Sequence, residues 1–266
     1  MIMNTKGFEG KNMQDFTLQQ FRSLCTALIS HDYTPITVRD YCTASDKKNG
    51  KTVILRHDVD RKLAMAVDMA SIEYDMGITA TYYFRHIPGV FDPKVIKKIE
   101  LMGHEIGYHY EVLDKAKGDK KKAISIFEKE LNTFRKYFTI QTICMHGNPL
   151  ASWSNRDLWQ YYDYKLFGIA GEPYLSIDYS DYFYISDTGR TWSGNFSIKD
   201  VVNSPFSESI NHTQDIIRLV NEEKYPHFCL LIHPNRWTDS MPVWISELLW
   251  QNIKNVGKKI IKGHHD

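Results

Sequence analysis

Apolar positions along this chain fall into two alternating patterns. Short, nearly unbroken runs give way to stretches in which apolar residues recur every third or fourth position. The first pattern is that of a strand buried on both faces, the second that of a helix with one buried face. Runs at 52–58, 79–85, 105–110, 141–146, 166–170 and 228–233 predict strands. Helical spacing predicts helices over about 62–76, 92–102, 119–137, 155–162, 211–223 and 243–261, with Gly77 and Gly103 stopping two of them. Upstream, Thr17 is an N-cap residue followed by Leu18, Phe21, Leu24, Cys25 and Leu28 on one helical face, with Phe16 placed to staple the first turn. The alternation from residue 52 onward predicts an α/β protein with a parallel sheet or barrel and outer helices. Ligand sites in such folds lie at the carboxyl ends of the strands.

Four of the predicted strands carry polar chemistry near that end. In His57-Asp58-Val59-Asp60, a period of two sends both carboxylates to one face and His57 to the other. Two adjacent carboxylates are costly without a cation or a shared proton, so the pair reads as a metal site or an acid/base pair. A plain ion pair with Arg56 or Arg61 is the alternative. His109 and Glu111 share a strand face, and this pairing of donors suits a borderline metal such as zinc. His146 and Asn148 stand at a strand-to-turn junction shaped by Gly147 and Pro149, within reach of a polar ligand. His233 ends an apolar strand before Pro234 and can act as a general acid. Further on, Asp187, Arg190 and Trp192 offer a carboxylate, a guanidinium and a ring face suited to sugar recognition.

Composition narrows the classes. The 266 residues, 42% hydrophobic and 24% charged, suit one large α/β domain or two small ones. With 33 basic against 32 acidic residues, the overall balance argues for neither a nucleic-acid footprint nor an acidic-membrane binder. The basic run Lys115–Lys122 reads as a solvated loop, and His264-His265 closes the chain without a partner pattern. Residues 1–20 hold no signal-peptide pattern, and no segment is apolar enough to span a membrane. Cys25, Cys42, Cys144 and Cys229 show no paired spacing and read as reduced thiols, which with the N-terminus predicts a cytoplasmic protein.

On these residues, over roughly 50–235, the chain resembles the polysaccharide deacetylase superfamily, carbohydrate esterase family 4, and within it the WbmS-like branch of surface-polysaccharide loci. Asp58 and Asp60 match the family's paired aspartates, here separated by a valine. Gly103-His104-Glu105-Ile106-Gly107-Tyr108-His109 matches Gly-His-Glu-Ile-Gly-Asn-His, and Leu230–His233 matches the Leu-x-x-His strand end. Four residues after His109, where the family has a second metal histidine, this chain has Leu113. Glu111, Asp114 and His146 are the candidates for the missing ligand, and Glu111 is the first choice.

The resemblance implies a distorted barrel of about seven parallel strands with outer helices, as a single domain behind a helical extension over about residues 1–50. It implies a divalent metal, zinc by preference, on Asp60 and His109, with Asp58 as base and His233 as acid. The expected function is removal of acetyl from an N-acetylated sugar, nucleotide- or lipid-linked, in O-antigen or capsule synthesis. The alternative is a catalytically silent sugar-binding protein on the same fold.

Overall fold

The computed structural model describes residues 14–44 and 50–262, the last six of them as backbone. In chain order the elements begin α1 (Leu18–Ser30), β1 (Thr34–Ile36), α2 (Val38–Thr43), β2 (Thr52–Val59), α3 (Leu63–Asp75), β3 (Thr81–Phe84), α4 (Pro93–Leu101) and β4 (Glu105–Tyr110). They continue with α5 (Val112–Lys115), α6 (Lys120–Arg135), β5 (Ile143–Met145), α7 (Pro173–Ser176), β6 (Phe183–Ser186), α8 (Thr213–Asn221), β7 (His227–Ile232) and α9 (Met241–Lys262). Side-chain caps set several starts. Thr17 accepts from the Gln20 amide ahead of α1, and Asp92 accepts from Lys94 and Val95 at the start of α4.

Every strand pairing is parallel, in the order β5-β4-β3-β2-β7-β6, with β1 beside the first half of β2 and β3 beside the second. The seven strands curl into a distorted, incompletely closed α/β barrel with helices around it. Alternation along β2 separates two environments. Val53, Leu55 and Val59 face the helices in the larger core, while Ile54 joins Tyr83, Cys144 and Cys229 in an interior cluster. Arg56 and Asp58 share the interior face. His57 takes the outer one, stacked on Tyr82 with Nε2 at 2.7 Å from Glu73. Gly107 makes room for the interior: a Cβ there would lie 2.3 Å from the Tyr83 ring.

Some expectations change. The apolar run 166–170 is not a strand: Tyr164–Phe167 forms a 3₁₀ turn closed by Gly168 at φ +67°, and Leu166 is exposed. Only Gly171 touches the sheet, bridging Thr142. Asn155–Gln160 is 3₁₀ rather than α-helical. The described part of 1–50 is not helical throughout, because Thr34–Ile36 joins the sheet. Phe16, at φ +57°, leaves the first turn of α1 and packs against Trp192 and Trp237. Strand β6 falls in a stretch whose pattern predicted irregular chain. His264 and His265 lie outside the described residues.

Candidate active site

The carboxyl ends of the strands open on a cavity of about 420 Å³ whose lining includes Asp58, Asp60, His109, His146 and His233. The two aspartates come from the end of β2, His109 from β4, His146 from the residue after β5, and His233 from the residue after β7. Parallel strands all deliver their last residues to the same rim, which is why positions so distant in sequence meet here.

Asp60 is the centre of the cluster. Its Oδ1 lies 3.5 Å from Nε2 of His109 and 3.5 Å from Nε2 of His146, and its Oδ2 lies 3.9 Å from Nε2 of His233. That Oδ1 is buried and makes no hydrogen bond among the described residues. Nδ1 of His109 is 3.0 Å from the Cys144 carbonyl, which can only accept, so Nδ1 carries a proton and Nε2 points a lone pair at Asp60. Two acceptors face to face require a cation or a second proton between them. Burial works against charge on His109, but Asp58 and Asp60 outweigh it and raise its pKa. Burial pushes His146 down to about 4, with Arg85 and His109 adding to the effect, so its imidazole is neutral at neutral pH. Burial also opposes charge on Asp60, yet the three histidines hold its carboxyl well below the ordinary range.

The donor types of Asp60, His109 and His146 suit a divalent metal. Ligand atoms at zinc distances of 2.0–2.1 Å stand about 3.4 Å apart in a tetrahedral shell, near the 3.5 Å separations around Asp60 Oδ1. Among the described residues, the trio whose ligand atoms already lie within 4.8 Å of one another is Asp58, His109 and Cys144, a spread that Asp60, His109 and His146 do not meet. That second grouping is chemically poorer. Arg56 occupies both Asp58 oxygens, through Nε at 3.0 Å and Nη2 at 2.7 Å, and burial pushes the Cys144 thiol well up, keeping it protonated. Burial resists charge on Asp58 as well, but Arg56 and His109 prevail and its carboxylate is ionised.

The structure sorts the other sequence candidates. Glu111 is not beside Asp60: it accepts from Arg85 at 2.5 Å, faces Lys115, and stands 3.5 Å from Nδ1 of His146, behind that ring. The strand ends at Tyr110, so the face shared with His109 is lost one residue later. Asp187 is fully buried and bonds His233: its Oδ1 is 2.6 Å from Nδ1 and its Oδ2 accepts from the His233 amide at 3.0 Å. Arg236 and His233 overcome the burial of Asp187 and hold its pKa low. Asn148 lines the cavity, with Oδ1 accepting from the Leu150 amide at 3.0 Å. Trp192 is not in the cavity but buried against Phe16 and Trp237, its indole donating to Thr213. Arg190 is likewise elsewhere, donating to the Trp244 carbonyl above that residue's ring.

Lining residues with no sequence signal include Thr188, Asp200, Arg236, Gln251 and Lys254. Asp200 accepts from Tyr174 and Thr188 in a loop without regular structure. Arg56, named from the sequence as an ion-pair partner, does hold Asp58, because a residue two before it on a strand shares its face.

No family model and no curated protein matches this sequence. Solved structures with a loose likeness to this chain include the following. One is a BA3943 mutant, described as a CE4 family pseudoenzyme with restored enzymatic activity, at 15% identity over 78% of this chain and 64% of that one, with a TM-score of 0.39. The chain thus spans 64% of that protein's length. The other is PdaA of Bacillus subtilis, a family 4 carbohydrate esterase, at 16% identity over 86% of this chain and 83% of that one, with a TM-score of 0.38. Both likenesses are loose, and neither fixes what the site does.

Proposed function

We propose that this protein is a metal-dependent hydrolase that removes acetyl from an N-acetylated sugar. The observation that carries the reading is Asp60 Oδ1, buried, without a hydrogen bond among the described residues, and 3.5 Å from two imidazole nitrogens. Asp60, His109 and His146 hold a divalent ion, and zinc suits two imidazoles and a carboxylate. His146 takes the third place that the sequence suggested for Glu111, whose Oε2 stands 3.5 Å from the far nitrogen of that ring without a hydrogen bond to it. Bound there, the ion supplies positive charge that polarises an acyl carbonyl and acidifies water.

The chain's own groups complete the chemistry. Asp58, kept ionised by Arg56, takes the proton of the attacking water. His233 gives a proton from Nε2 to the departing amine, while Asp187 accepts from Nδ1 and holds the ring in that tautomer. The motif resemblance to carbohydrate esterase family 4 supports an N-acetyl sugar as substrate. Its WbmS-like character supports a surface-polysaccharide precursor, O-antigen or capsule, processed in the cytoplasm.

Elemental analysis with metal titration of chelator-treated protein tests the reading. About one divalent ion per chain is expected, lost in Asp60→Ala and weakened in His146→Ala. Asp58→Asn should keep the ion and lose acetate release by about 10²-fold or more. A protein that takes up no divalent ion, yet binds N-acetyl sugars in chelator, is a sugar-binding module instead.

A further inference from the structure

Helix α9 lies on the protein with its faces reversed. Glu247, Gln251 and Asn255, four residues apart, are 3%, 5% and 8% exposed. Glu247 pairs with Arg61 and Lys62, Gln251 donates to Asn255, and Asn255 donates to the Gly189 carbonyl at 2.8 Å. The opposite side carries Met241, Ile245, Leu249, Ile253 and Val256, which are 46–66% exposed. Surface helices ordinarily turn their apolar stripe inward. One exposed leucine needs no explanation, but a stripe along four turns of helix does.

We propose that this outer face docks on an anionic lipid bilayer, with α9 lying in the interface. Charge argues for that occupant. The helix has a single acidic residue, Glu247, and it faces the protein; its sequence carries Lys254, Lys258, Lys259 and Lys262 toward the carboxyl end. Lys254 has no ion pair among the described residues and sits 5.1 Å from the ring centre of Trp250, itself 48% exposed. Exposed apolar residues, an exposed tryptophan and a lysine-rich carboxyl-terminal sequence form the pattern of an interfacial helix. A second copy packed in parallel across a two-fold axis would bring lysine toward lysine, whereas anionic headgroups complement them in any orientation. The nearly neutral whole-chain charge hides this local concentration. No helix among the described residues is long and apolar enough to cross a membrane, so the contact is with the surface.

Docking bears on the active site. Gln251 and Lys254 line the cavity, as does Leu150, which is 79% exposed. The cavity mouth therefore adjoins the inner side of α9, one helix diameter (~10 Å) from the docking face, within reach of the head group of a lipid-linked sugar. This last consequence rests on the deacetylase reading; the docking does not.

Vesicle sedimentation tests it, comparing phosphatidylcholine alone with phosphatidylcholine containing about a third phosphatidylglycerol. The native protein should sediment with the anionic vesicles, less so at high salt. The double variant Leu249→Glu, Ile253→Glu should bind at least about tenfold more weakly. Because both positions are exposed and outside the cavity, the variant should keep its metal content and its turnover of a soluble N-acetyl sugar. Absence of binding to anionic vesicles at low salt overturns the proposal. So does a concentration-dependent dimer in lipid-free solution that the double variant abolishes, which assigns the face to a second copy. Either failure leaves metal stoichiometry untouched and so is separable from failure of the hydrolase reading.

Discussion

Nδ1 of His233 stands 2.6 Å from Oδ1 of Asp187, a contact made across 46 residues of chain. The same carboxylate accepts from the His233 amide and from the indole of Trp237 at 2.9 Å. Asp187 thus fixes both the ring and the strand end that carries it, leaving Nε2 directed toward Asp60. In the proposed mechanism it would position His233 rather than touch sugar.

Asp187→Asn keeps the shape but offers His233 one acceptor fewer. Turnover is expected to fall about 10- to 100-fold, part of what general acid catalysis contributes, while the bound ion stays. Because the contacts to the His233 amide and the Trp237 indole also weaken, thermal unfolding should be run beside the kinetics. Unchanged turnover would remove Asp187 from the catalytic arrangement.

In the proposed site a metal would compete with a proton at His109. Its pKa is raised because, against burial, Asp58 and Asp60 favour the charged ring. Ion binding at a pH below that raised value must expel the Nε2 proton, and His146, pushed down to about 4, has none to give at neutral pH. Calorimetric titrations in buffers of different ionisation enthalpy should show up to about one proton released per ion, vanishing as pH rises. Release of two would mean that His146 is also charged.

The low pKa of His146 gives the metal-free protein an acid weakness. Between about 6.5 and about 4 the unfolded chain takes up a proton that the folded site refuses, so stability falls as pH falls through that window. His109 acts in a different window: its contribution is present below the unfolded value and is lost as pH rises through its raised folded value. Urea unfolding of chelated protein between pH 4.5 and 6.5 should therefore show a slope that flattens in His146→Asn. An identical slope would mean the folded site accepts that proton.

Trp192 should matter for folding, not for sugar. It is 4% exposed and packed among Phe16 and Trp237. Trp192→Ala should cost about 3–5 kcal/mol of stability, as for a large buried ring, with little change in KM for the surviving fold. A raised KM at native stability would return Trp192 to the substrate.

Much of this protein is decided by local pattern. Apolar runs marked the parallel strands because a strand covered on both faces has no polar side to show. A period of two separated His57, now against Glu73 and Tyr82, from Asp58 and Asp60, now in the cavity. The position of the histidines at strand ends foretold a common rim, since parallel strands end on the same side.

Partnership was not local. His146, not Glu111, meets Asp60, because β4 ends at Tyr110 and β5 delivers the next side chain beside His109. Asp187 reaches His233 only because β6 pairs with β7. The run 166–170 has strand composition but turns at Gly168, and only its end meets the chain ahead of β5, through Ala170 to Gln141 and Gly171 to Thr142. Helix α9 is amphipathic from its sequence alone, yet nothing in that spacing says which face turns inward. Arg61, Lys62 and the Gly189 carbonyl are what draw its polar face onto the protein. Periodicity sets which residues share a face; the packing of distant elements sets what that face meets.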